Sequence, residues 1–265
     1  TSGNAVGNWV IMDSNAEAHV LATRWMQKLI ALLATRTRDG VVYEVDARLR
    51  PSGRSGPLAT SLAAFVEYHS TEAELWERQA LVRARVVWSE GDLAAKVGEA
   101  IAARTWSASL DAHGVAEIAQ LRSRVEKELS GEDEAHRNLK TGRGGLVDIE
   151  FLVQMLQLRH GSAVPAVRQR ATDDALKALR DAGLLARAQA DALLAHYRFL
   201  RRLEARLRLE RDRPVEELGT DPAGLAPLAM RLGYQGEEPG RDLLRDYQRT
   251  TEDVRRLFRA FFPEP

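Results

Sequence analysis

Cysteine is absent from this chain of 265 residues, which excludes disulfides, thiolate metal sites and cysteine nucleophiles and fits a reducing cytoplasm. Apolar residues never run for the eighteen or so positions a membrane helix needs, and the N-terminus lacks the basic-then-apolar pattern of a secretory leader. Neither membrane insertion nor export is therefore expected, and the expected location is cytoplasmic. Excess charge of one sign is missing too, with 38 basic residues against 38 acidic ones. No bulk field draws the chain to nucleic acid or to an anionic membrane, and neither is expected as a partner. The six histidines are scattered without metal-ligand spacing, so no zinc site is expected. What remains is 45% hydrophobic and 29% charged residues, enough for a full core in one large or two modest domains.

The chain changes character near residue 110. Before it, "NWVIM" (Asn8 to Met12) reads as a strand, and Val20, Trp25, Leu29 and Leu32 mark one face of an amphipathic helix from Ala16 to Thr35. Ser61 is placed to cap a helix, while Thr71 with Glu74 forms a capping-box pattern ahead of Trp76 and Leu81. "SASLDAHG" (Ser107 to Gly114) reads as a linker. Downstream, strand signals fade: Ile118, Leu121, Val125 and Leu129 keep helical spacing, a long helix covers Asp191 to Arg211, and Asp221 with Pro222 opens another. Leu243, Tyr247, Val254, Phe258 and Phe261 mark the last helix. The expectation is an α+β chain, mostly α, with domains at 1–110 and 111–265.

Within the first domain lies "VVYEVDARLRPSGRSGPL" (Val41 to Leu58), where apolar and charged residues alternate before glycines end the pattern. A strand here puts Glu44, Asp46, Arg48 and Arg50 on one face. Such a face suits a site in which Asp46 holds a divalent cation and the arginine forks meet phosphate oxygens, with Gly53 and Gly56 letting the backbone turn beside it. The alternative is a solvated face of paired charges.

A second glycine stretch, "LKTGRGGLVDIEF" (Leu139 to Phe151), departs from the Walker A pattern, because its lysine precedes the glycines and Glu132 to Asn138 does not read as a strand. Gly144 and Gly145 before a helix could offer backbone amides to an anion, with Lys140 and Arg143 nearby, or the stretch is a flexible linker. In the helix that follows, apolar residues cover most of the circumference, while Glu150, Gln154 and Gln157 form a polar stripe. Two readings stay open: a buried hydrogen-bond network, or Asp148 or Glu150 bonded to the glycine loop or to a basic residue at a nucleotide site. About 200° separates Asp148 from Glu150 around a helix, so one metal ion is not expected to bind both. Arg83 and Arg85 would share a face if extended, as phosphate contacts or as a salt-bridged surface. Arg198, Arg202 and Arg206 read as a solvated helix face.

"YEVDARLRPSGRSGPLATS" (Tyr43 to Ser61), "WERQALVRARVV" (Trp76 to Val87) and "LKTGRGGLVDIEFLVQ" (Leu139 to Gln154) resemble, in order and separation, three motifs of the glutamine synthetase adenylyltransferase family. The resemblance runs from about Ala16 to the C-terminus. It implies a partial DNA polymerase β-like nucleotidyltransferase domain followed by an α-helical bundle, and an enzyme that moves AMP from ATP to a tyrosine of glutamine synthetase. It further implies Mg²⁺ as cofactor and glutamine synthetase and a PII signalling protein as partners. Asp46 matches the third metal carboxylate of that pattern. Arg48, Arg50, Gly53, Gly56, Lys140, Gly144 and Gly145 are implied as nucleotide or phosphate contacts, with Arg83, Arg85, Asp148 and Glu150 in support. Counting back without gaps from Asp13, the paired metal aspartates fall at Ala5 and Gly7, and neither side chain ligates a cation. A fragment with its upstream part lost or replaced is expected rather than a degenerate copy, with little activity on its own. Asp148-Ile149-Glu150-Phe151 after the paired glycines resembles the transferring half of the bifunctional enzymes; the removing half tends to carry arginine-glutamate-isoleucine-glutamate-phenylalanine there. The competing reading is a non-catalytic nucleotide- or partner-binding module.

Overall fold

The computed structural model describes residues 10–12, 16–38, 40, 45–47, 50, 53, 56–211 and 216–262. The chain divides into two compact units, Thr1–Ser107 and Ala108–Pro265. Among the described residues both are mostly helical, and each holds one small sheet.

In the first unit β1 (Val10–Met12) pairs in parallel with β2 (Ala59–Ser61), and α1 (Ala16–Ala34) lies between them in sequence. The apolar stripe expected to pack does not: Val20, Trp25, Leu29 and Leu32 are all exposed, and Met26, one position round, is buried instead. Two strands of three residues span about 10 Å, too little to cover a helix face of nearly 30 Å. Ser61 caps α2 (Leu62–Thr71), its hydroxyl accepting the Ala64 amide at 3.1 Å. The capping box lies three residues beyond its expected place, because Glu74 and Glu77, rather than Thr71 and Glu74, exchange the reciprocal bonds that open α3 (Leu75–Leu81). Thr71 instead donates to the Glu67 carbonyl within α2. Then α4 (Leu93–Thr105) closes the unit, packing on α2 and α3. The strand expected over Val41 to Arg50 is not formed at residues 45–47, which are irregular; Val41 to Glu44, Arg48 and Leu49 lie outside the described residues, as do Ala5, Gly7 and Asp13.

In the second unit α5 (Ala112–Leu129) starts at Asp111, whose carboxylate accepts the Gly114 amide at 2.8 Å. A strand follows where none was expected: β3 (His136–Asn138) pairs antiparallel with β4 (Glu217–Gly219). Its partner is some eighty residues away and its sequence is polar, so no local alternation announces it. At the centre is α6 (Leu146–His160), with Leu146, Ile149, Leu152, Met155, Leu156 and Leu158 at most 2% exposed. Burial over most of its circumference is what its apolar residues require, each such side chain contributing about 1.5–3 kcal/mol. Helices α5, α7 (Thr172–Asp181), α8 (Arg187–Arg211) and α10 (Pro239–Phe261) all pack against it. Asp221 and Pro222 open α9 (Pro222–Arg231), with the Asp221 carboxylate accepting the Ala223 and Gly224 amides. Helix α9 lies so close to α10 that a Cβ on Gly240 would fall 1.9 Å from the Pro222 carbonyl oxygen.

Candidate functional site

In the first glycine stretch the described residues include an arginine bonded to neighbouring carbonyls. Arg50 Nε donates to the Gly56 carbonyl at 3.0 Å, and the same guanidinium donates to the Ala47 carbonyl. Gly53 adopts φ +55°, where a Cβ is disfavoured, and its amide donates to the Arg50 carbonyl at 2.8 Å. Arg50 thus closes the turn rather than standing free for a phosphate. Asp46 is half-buried and lines neither the cavity between α10 and the segments around β3 nor the one between α2 and α4. Arg48 lies outside the described residues.

Within "WERQALVRARVV" the buried groups precede the arginines named from sequence. Glu77, 6% exposed, accepts from the Tyr68 hydroxyl at 2.9 Å and the Glu74 amide at 2.9 Å, and Arg78 Nε donates to the Thr105 carbonyl at 3.0 Å. Arg83 sits in the turn after α3, and Arg85 is exposed in an irregular segment, so the two share no strand face.

The second glycine stretch is densely hydrogen-bonded. Asn138 Oδ1 accepts the amides of Lys140 and Thr141 at 3.0 and 2.9 Å, and Glu132 accepts that of Arg143 at 3.3 Å. The Gly142 and Gly145 amides donate to Asn138 and Gly142 carbonyls, and those of Leu146, Val147 and Asp148 to Leu139, Lys140 and Gly145. Gly144, at φ +72°, gives its amide to Asp148 Oδ2 at 2.9 Å. Every amide from Lys140 to Asp148 is therefore donated within the protein. The linker alternative is overturned, and the N-terminus of α6 offers an anion no free donor. Lys140 pairs with Glu216 at 2.8 Å.

Asp148 anchors this loop. Fully buried, it forms an ion pair with Arg122 of α5, itself 1% exposed, and a second with Arg255 of α10 at 3.2 Å. Arg122 also donates to the Thr141 and Gly142 carbonyls at 3.1 and 2.9 Å, and Glu126 joins through Arg255 at 3.1 Å. A buried charge persists only when paired and bonded in this way. Glu150 belongs to a separate chain on α8: Arg201 bonds Glu150 at 2.9 Å and Glu204 at 2.8 Å, and Glu204 also takes Arg208 at 2.8 Å. Burial disfavours the Arg201 charge, yet Tyr197, Glu150 and Glu204 beside it hold its pKa above the ordinary value. Gln157 donates to the Val167 and Gln169 carbonyls, both at 2.7 Å. Asp148 and Glu150 therefore sit in separate networks. Of the Arg198, Arg202 and Arg206 stripe, Arg198 pairs with Asp173 at 2.9 Å.

Sequence reasoning missed Arg122, Asn138, Arg201, Glu204 and Arg255. Arg122 carried a signal, since it shares the helix face of Val115 and Ile118, and a charge on an apolar face demands a buried partner. Among the described residues no group of three or more histidine, aspartate or glutamate side chains is placed to hold a metal ion.

These features define a mostly helical α+β protein whose second glycine stretch is a hydrogen-bonded loop locked by a buried arginine–aspartate pair. Residues 10–100 match the family described as glutamate-ammonia ligase adenylyltransferase, and residues 115–262 match that described as GlnD PII-uridylyltransferase. A bifunctional glutamine synthetase adenylyltransferase/adenylyl-removing enzyme of Streptomyces avermitilis is 38% identical over 244 residues, 92% of this chain and 24% of the relative. The same-named proteins of Streptomyces coelicolor and Caulobacter vibrioides are 38% identical over 94% of the chain and 45% identical over 74%, covering 25% and 19% of the relatives. The chain belongs to the glutamine synthetase adenylyltransferase family. It spans about a quarter of the length of these relatives.

Proposed function

We propose that the chain is part of the adenylyl-transferring half of a glutamine synthetase adenylyltransferase, acting in nitrogen regulation in the cytoplasm. The observation that carries this reading is the alignment of 92–94% of the chain with bifunctional enzymes of that name. The reaction is nucleotidyl transfer: a tyrosine oxygen of glutamine synthetase forms a bond to the α-phosphorus of ATP, the bond to the β-phosphate bridging oxygen breaks, and pyrophosphate leaves with that electron pair. Glutamine synthetase is the protein substrate and a PII signalling protein the regulator.

Residues 1–107 supply a partial nucleotidyltransferase domain and residues 108–265 a helical bundle. Asp46 is the family's third metal carboxylate, with Arg48 and Arg83 as nucleotide contacts. A magnesium site needs several oxygen ligands. Positions 5 and 7 carry alanine and glycine, and no acidic cluster forms among the described residues. The donor set here does not make a metal site, so the chain alone transfers no AMP. The test is incorporation of labelled AMP from ATP into glutamine synthetase, with and without Mg²⁺. Incorporation by this chain alone would overturn the incomplete-site reading.

A second reading, a non-catalytic binding module, draws on the alanine and glycine at positions 5 and 7, where the family pattern has its paired metal aspartates. Nucleotide binding without transfer, unchanged when the paired aspartates of a relative are supplied, would favour it.

A further inference from the structure

Beside the locked glycine loop lies a cavity of about 610 Å³, within the size range of small-ligand sites. One wall is α10; the other is formed by Glu132, Arg137 and Arg143 from the segments around β3 and the loop. Five arginines and two glutamates line it; Arg255 is paired with Asp148 and Glu126 and Arg256 with Asp253, so Arg137, Arg143 and Arg259 face Glu132 and Glu252. The Glu132 carboxylate is already occupied by the Asn138 and Arg143 amides, at 3.1 and 3.3 Å.

Arg143 and Tyr247 are uncommitted donors in this cavity, and the exposed Gln248 and Glu252 side chains also make no ion pair or hydrogen bond among the described residues. Arg143 is exposed, and its guanidinium makes no ion pair or hydrogen bond among the described residues. Tyr247 is 2% exposed, and its hydroxyl likewise finds no hydrogen-bond partner among them. Burial, and then the nearby Glu132, pushes the phenol pKa upward, so the hydroxyl stays a donor. The ring is buried but the hydroxyl oxygen is not enclosed by protein, so it is open to a partner in the cavity. The walls are also held at a fixed spacing, because a Cβ on Gly144 would fall 1.9 Å from the Thr251 carbonyl oxygen of α10. Arginine forks match phosphate oxygens in pairs.

We infer that this cavity binds a small polyphosphate anion, either free pyrophosphate or the phosphate tail of a nucleotide, with Arg143 and Tyr247 as direct donors. Because its donors are side chains, the site needs no metal ion and is independent of Asp46.

The test is isothermal titration of the full chain with pyrophosphate and with ATP in EDTA. One site per chain is expected, weakening as salt rises, with the two ligands competing. Arg143→Gln and Tyr247→Phe should each weaken pyrophosphate about tenfold or more, while Asp46→Asn leaves it unchanged. Tighter ATP assigns the nucleotide tail and tighter pyrophosphate the free anion, and either supports the site. No binding in EDTA, or equal affinity in Arg143→Gln with its helical circular dichroism intact, would overturn it. Failure of AMP transfer has no bearing on this titration.

Discussion

Replacing Asp148 by alanine removes the anchor of the second unit. Its carboxylate is fully buried and serves Arg122, Arg255 and the Gly144 amide. The change leaves Arg122, at 1% exposure, with Glu126 at 3.4 Å and two carbonyls. Breaking a buried ion pair from one side costs about 3–5 kcal/mol, and a stranded amide adds about 1–3 kcal/mol. Glu126 and the carbonyls take up part of that loss, so the net expectation is about 3–4 kcal/mol. At an m-value of about 2 kcal/mol/M the urea midpoint falls by about 1.5–2 M. All five tryptophans precede residue 108, so their emission reports the first unit, and the transition is best followed by circular dichroism at 222 nm. If an unpaired buried charge is the cause, Arg122→Met combined with Asp148→Leu should cost less than Asp148→Ala alone. A single-variant cost below about 1 kcal/mol, or a double variant equal to the sum of its parts, would refute the reasoning.

Other expectations are simpler. His69 is 1% exposed, and burial followed by Arg104 lowers its pKa to about 4 from the usual 6.5. The unfolded chain therefore takes up this proton first: the contribution is complete above pH 6.5 and is lost as pH falls towards 4, by about 2 kcal/mol between pH 7 and 5. A His69→Phe variant should flatten that slope in denaturant titrations at several pH values. Gly144→Ala combines a disfavoured φ with a collision against the Thr251 carbonyl, and should lower thermal stability by about 3 kcal/mol or more. Asp221→Ala removes the cap of α9 and should cost about 1 kcal/mol in the same assay.

Much of the second unit was legible in the sequence because its signals are local. The apolar circumference of α6, the Asp221–Pro222 cap and the period of α10 all depend on neighbours within one or two turns. What escaped depends on distant partners: β3 exists because of β4, and Arg122 is buried because Asp148 faces it from another helix. The glycine loop misled for a related reason. Glycines before a helix suggest open amides, but Asn138 and Asp148 had already taken several of them, and a pattern of residue types does not reveal such bonds. In the first unit the periodicity of α1 was right and the packing inferred from it was not, since Trp25 and Leu32 are exposed. The chemistry of Asp46 came from the family pattern rather than from spacing alone.

The most direct measurement is transfer of labelled AMP from ATP to glutamine synthetase by three proteins. These are this chain, the chain joined to a relative's segment bearing the paired aspartates, and that fusion with Asp46→Asn. The account predicts no transfer by the first, Mg²⁺-dependent transfer by the second and loss of nearly all of it in the third. Transfer by the chain alone, or full activity in the Asp46→Asn fusion, would contradict it.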